Sequence, residues 1–161
     1  MISLTLNTKK CMAELLLRET FDSFLFIEGS VTTFNKFTID GYIHSDFYEE
    51  NAPAEPYSAW KSLREFVFSI IKGKRTPLDF HFVFSLSSDT VRTLIAENEL
   101  DFQPESVQGL YLNFRYDGST LICVTGTSLK IFTLDKSLDH AFDKWVEKFF
   151  AEHGIEYDIT L

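Results

Sequence analysis

Residues 78–86 read Leu-Asp-Phe-His-Phe-Val-Phe-Ser-Leu, with phenylalanine at positions 80, 82 and 84. Side chains alternate between the two faces of a strand, so this spacing predicts three aromatic rings on one face. Asp79 and His81 fall together on the other face. The aromatic face has to be buried, and the helical segments elsewhere in the chain are the means to cover it.

Further strands are predicted at Ile2 to Leu6, Phe24 to Phe34 (interrupted near Gly29), Lys36 to Ile43, Val107 to Tyr116, Thr120 to Thr125 and Ser128 to Leu134. Asp117-Gly118 is the strongest hairpin signal, and Asp40-Gly41 reads as a turn or a bulge. Asn7 and Thr8 can cap a helix carrying Met12, Leu15 and Leu16 on one face. The clearest helix runs from about Ser58 to Lys72, with Trp60, Leu63, Val67, Ile70 and Ile71 at helical spacing. Gly73 suits its C-cap and Pro77 bars continuation. Ser87 or Ser88 starts a short helix reaching about Glu97, and Ser137 starts the last one, ended by Gly154. Residues 44–56 are irregular and acidic, with a helical turn at Asp46 to Glu50, and residues 155–161 make an edge strand or a tail. The expected fold is one α+β domain over residues 1–161, a mostly antiparallel sheet with helices packed on it.

The element order repeats, giving two half-repeats at 1–73 and 78–154. Thr32-Thr-Phe-Asn-Lys-Phe-Thr-Ile-Asp40 aligns with Thr127-Ser-Leu-Lys-Ile-Phe-Thr-Leu-Asp135, identical at four of nine positions. Two readings fit. Either a β-α-β-β-α unit is duplicated with pseudo-two-fold symmetry, or strands of similar composition resemble one another.

The chain carries a net charge of −9, which disfavours a general nucleic-acid binder or an anionic membrane surface. No segment approaches the roughly 20 apolar residues of a membrane span. Cys11 and Cys123 stand outside any C-x-x-C pair or zinc spacing, and are expected reduced and buried in a cytoplasmic protein. No cofactor or metal is expected.

Against this acidic background, Lys72-Gly-Lys-Arg-Thr-Pro77 places three cations in four residues. Lys72, Lys74 and Arg75 are the candidate ligand-binding residues, for a phosphate or an acidic partner segment. The competing reading is helix chemistry, cations offsetting the dipole at a C-terminus. Thr125-Gly-Thr-Ser128 could form a hydroxyl-lined turn or a simple bulge. Asp40 and Asp135 occupy matched positions, as paired carboxylates or as strand ends bonded to local N–H groups. His81 beside Asp79, with Ser85 further along, reads as an exposed polar strand face, because no nucleophile elbow accompanies it. No catalytic residue is assigned.

The run at Thr125 to Ser137, with Phe37-Thr-Ile-Asp-Gly41 and Lys72 to Pro77, resembles a family of small proteins from clostridia-type bacteria classed as a domain of unknown function. The resemblance covers nearly the whole chain. It implies an intracellular bacterial protein and brings no activity or site residue. The strand–helix–strands unit used twice is also similar to the building block of DNA sliding clamps. In that likeness Lys9, Lys10 and Arg18 would face DNA, but the second short helix offers only Arg92. The function expected from the sequence is a non-catalytic binding or scaffold domain with an unidentified protein partner. An enzyme or sensor for a phosphorylated ligand and a clamp-like protein are the alternatives.

Overall fold

The computed structural model describes residues 1–71, 73 and 75–160. They form four α-helices, α1 (Thr8–Leu16), α2 (Trp60–Ile71), α3 (Ser88–Glu97) and α4 (Ser137–Glu152). The strands are β1 (Ser3–Leu6), β2 (Leu25–Thr32), β3 (Lys36–Asp40), β4 (Asp79–Ser85), β5 (Val107–Tyr116), β6 (Leu121–Leu129) and β7 (Tyr157–Thr160). All seven join in one antiparallel sheet of order β3-β2-β4-β5-β6-β1-β7.

The pleat explains why the sheet has two different faces. One row of paired positions runs Ile39, Gly29, Phe82, Phe114, Cys123, Leu4, Ile159 across all seven strands. The next row runs Thr38, Ser30, His81, Arg115, Ile122, Thr5, Asp158. The first belongs to the core face and the second to a polar face left open. On the core face Phe80, Phe82 and Phe84 are buried, as their spacing predicts. Trp60 of α2 lies against Phe26, Phe82 and Phe84, and Phe150 of α4 against Phe114.

Local chemistry sets the helix starts. The Asn7 side chain accepts from the Lys10 N–H at 2.9 Å, and Ser87 from the Thr90 N–H at 3.3 Å. Each satisfies one of the N–H groups that a first turn leaves without an intrahelical partner. The β5–β6 hairpin turns at Asp117-Gly118, where Asp117 Oδ1 accepts from the N–H of Ser119 and Thr120. Gly118 has φ +99°, a backbone region that L side chains rarely adopt.

Three expectations are corrected. Residues 128–134 do not form their own strand. β6 runs unbroken through Gly126 to Leu129, opposite Val107 at the start of β5, and beyond that point it has no β5 residue left to pair with. The matched stretch at 36–40 stays a strand because β2 pairs with it throughout. The halves are also not equivalent in the sheet. A two-fold exchanging them would place β1 beside β2, as β4 lies beside β5, yet β1 pairs with β6 and β7. The pseudo-two-fold arrangement is therefore not present. Asp40-Gly41 is not a hairpin turn either. Gly41 bonds back to Ile27 and receives the N–H of Ser58, so the chain returns past the bulge in β2 between Phe26 and Glu28.

One buried charge ties α1 to the loop after it. Glu14 is 3% exposed. It accepts a hydrogen bond from the Thr20 hydroxyl, and its Oε1 lies 3.0 Å from Lys10 Nζ and 3.6 Å from Arg18 Nε. Burial alone would raise its pKa, but Thr20, Lys10 and Arg18 outweigh burial and hold it below the ordinary 4.5. A depressed folded-state pKa contributes stability above the unfolded value, and that stability is lost as pH falls through the folded value. The stability gap between wild type and Glu14→Gln in urea unfolding is expected to narrow as pH falls from neutrality to below 4.5. A gap that does not change with pH would refute this assignment.

Candidate functional site

The basic turn follows the C-terminus of α2. Lys72 and Lys74 lie outside the described residues, and Arg75 is exposed. Arg75 borders an open basin of about 660 Å³ whose wall includes Phe34, Ile70 and Leu78. Phe34 is 84% exposed and Leu78 65%. Phe34 belongs to the β2–β3 connection, where its ring meets Phe37 edge-on at 5.6 Å. Leu78 is held by its N–H bond to the Thr32 carbonyl, 2.8 Å. Phe66, also exposed, precedes Ile70 by one turn on the same stripe of α2. Among the described residues, the Thr33 hydroxyl at this basin is buried with no hydrogen-bond partner. The place is thus an apolar hollow edged by positive charge. It lies at the C-terminal end of α2, the wrong end of a helix for phosphate capture.

The other residues singled out by sequence do not assemble. Asp40 ends β3, Asp135 lies six residues past the end of β6, and three strands separate β3 from β6. Asp40 Oδ1 accepts from the Tyr42 N–H and Asp135 Oδ1 from the Ser137 N–H, each at 2.9 Å. The Ser137 bond holds Asp135 below the usual carboxylate range. Thr125 to Ser128 lie within β6 and make no turn. The Thr125 hydroxyl instead donates to buried Asp143 of α4 at 2.6 Å. Asp79 is exposed and His81 half-buried on the open face, while Ser85 is buried and donates to the Leu86 carbonyl. Burial, then Arg115 on the neighbouring strand, lowers the His81 pKa against the opposing pull of Glu28. Burial raises both thiol pKa values, so Cys11 and Cys123 are poor nucleophiles.

Sequence reasoning missed a second hollow of about 250 Å³, where the open face meets the start of α3. Glu55, Tyr57, Arg92, Tyr111 and Lys130 surround it. Glu55 Oε1 accepts from the Ser88 N–H at 3.4 Å. Tyr111 folds over Gly109, where a Cβ would come within 2.3 Å of its ring. Burial, then nearby Tyr57, raises the Tyr111 pKa. These residues come from separate segments, so no spacing in the chain announces them. Among the described residues, no group of three or more His, Cys, Asp or Glu could hold a metal ion. Among them, too, no helix is long and apolar enough to cross a membrane.

A model described as a family of unknown function (DUF5721) matches residues 14–158, and the chain belongs to that family. No curated protein and no solved structure matches the chain.

Proposed function

We propose that this chain is a non-catalytic binding domain, acting as one unit over residues 1–161. Its contact surface is the basin beside the basic turn, and its partner is a protein segment carrying apolar and acidic side chains. The observation that supports this most is the pairing of exposed Phe34 and Leu78 with Arg75 in a chain of net charge −9. Exposed apolar area of this kind marks interaction sites, and a cationic rim favours acidic partners. Lys72 and Lys74, neighbours of Arg75 in the chain, carry the same charge. On the family resemblance, the reading sets this action in the cytoplasm of a clostridia-type bacterium.

Two labelled peptide pools would test it by fluorescence anisotropy. One interleaves Asp and Glu with Phe and Leu; the other replaces the acids with Lys and Arg. The first pool is expected to bind, and Phe34→Glu with Leu78→Glu to weaken it at least about tenfold, equal to about 1.4 kcal/mol. Equal binding of both pools, or no effect of the double change, would remove the basin from consideration. A thermal shift with inorganic phosphate or a nucleotide would favour the phosphorylated-ligand reading through Lys72, Lys74 and Arg75 instead. Reproducible turnover lost on changing Asp79 or His81 would overturn the non-catalytic reading. The clamp-like alternative has little behind it, since two of the three cations it needs, Lys10 and Arg18, are paired with Glu14.

A further inference from the structure

Residues 131–135, Ile-Phe-Thr-Leu-Asp, leave the end of β6 and pair with no strand among the described residues. Phe132 is 92% exposed and Leu134 83%. The similar run at 36–40, Lys-Phe-Thr-Ile-Asp, is β3, an edge strand whose outer side pairs with no strand among the described residues. The bonding phase of β3 is fixed at both ends. The Thr33 N–H donates to the Asn35 carbonyl and the Gly41 N–H to the Ile27 carbonyl, each at 2.9 Å. Bonded positions alternate along an antiparallel pair, so Phe37 and Ile39 bond to β2. Lys36, Thr38 and Asp40 therefore aim their N–H and C=O groups outward, a ready template for another strand.

We propose that residues 131–135 of one copy add as an antiparallel strand to β3 of a second copy, with Thr133 opposite Thr38. In that register Leu134 stands opposite Phe37, Phe132 opposite Ile39 and Asp135 opposite Lys36. Of the five pairs, two apolar, one threonine and one opposite-charge pair are favourable across strands, and Ile131 opposite Asp40 is the one that is not. Phe132 and Leu134 would fall on the core face, covering Phe37 and Ile39 at the sheet edge. The Thr133 hydroxyl bond from the Asp135 N–H, 3.0 Å, is exchanged for a ladder bond. The segment cannot fold back on its own β3. Four strand spacings separate β3 from β6, about 19 Å, and the segment is tethered between β6 and α4. This contact borders the basin, since Phe37 meets Phe34, but it does not rest on the basin's binding a partner.

Sedimentation across a concentration series tests it. Wild type is expected to rise from 18.6 kDa to twice that mass or a multiple. Thr38→Pro removes one outward N–H, which an edge strand tolerates, and is expected to remain monomeric with an unchanged circular dichroism spectrum. Phe132→Asp with Leu134→Lys, both in an exposed loop, is expected to do the same. A Thr38→Cys, Thr133→Cys variant should form an intermolecular disulfide on oxidation. Opposed Cα atoms in a bonded pair are about 5.5 Å apart, within disulfide reach, and native Cys11 and Cys123 are buried. A wild type that stays at 18.6 kDa, variants that associate as wild type does, or the absence of that disulfide dimer would each overturn the proposal.

Discussion

Replacing Trp60 with alanine is expected to destabilise the fold by about 3–5 kcal/mol, the usual cost of truncating a large buried aromatic. Domains of this kind have about 5–15 kcal/mol in total, so the variant would sit at or near the edge of unfolding. The reason lies in what Trp60 joins. It is fully buried. Its ring centroid lies 5.2 Å from Phe26, 5.6 Å from Phe82 and 5.0 Å from Phe84, so it seats α2 on the centre of the sheet. Its indole N–H donates to the Leu15 carbonyl at 2.7 Å, one of the groups that the end of α1 leaves unpaired. Trp60→Phe separates the two contributions. It keeps most of the ring contact and strands the Leu15 carbonyl, which costs about 1–3 kcal/mol. Urea unfolding should rank wild type above Trp60→Phe above Trp60→Ala. An alanine variant as stable as the phenylalanine one would show that the aromatic packing contributes little.

Gly41→Ala is expected to exceed the about 1–3 kcal/mol typical of overpacking. A Cβ on Gly41 would lie 1.8 Å from the Phe26 carbonyl oxygen, far inside contact distance. The backbone cannot simply retreat. The Gly41 N–H donates to the Ile27 carbonyl and its carbonyl accepts from the Ser58 N–H, each at 2.9 Å. Separating the chains breaks these bonds and loosens the bulge that brings Phe26 onto Trp60. Gly126→Ala is the control. There the nearest atoms stand at 3.8 and 4.0 Å, ordinary contact, and the loss of unfolded-state freedom predicts a gain of about 0.4–1 kcal/mol. Opposite signs for the two changes, read from melting curves, are the expected outcome. Similar effects would mean that generic glycine flexibility, rather than close approach, governs position 41.

Much of the fold was legible because it is written in local periodicity. The alternation of Phe80, Phe82 and Phe84 foretold which face would be buried. Asn7 and Ser87 marked helix starts, and Asp117-Gly118 marked the hairpin. Hydrophobic spacing and cap chemistry act over a few residues, so a sequence displays them directly. The candidate site was legible only in part. The three cations stand out in the chain, but Phe34, Ile70 and Leu78 come to Arg75 from separate elements. The hollow around Tyr57 and Tyr111 left no local trace for the same reason.

The sequence by itself determined an acidic α+β domain with one aromatic sheet face, because strand and helix periods demand it. It also displayed the twin patterns at 36–40 and 131–135, but not their different fates. Only the tertiary structure decided those. β2 runs alongside the first pattern, whereas β5 begins opposite Leu129 and leaves the second without a neighbour. A strand needs a neighbour to bond to, and which neighbour is present is a property of the sheet order, not of the residues in the strand. The two similar halves seen in the chain therefore become one asymmetric sheet, with β1 placed between β6 and β7.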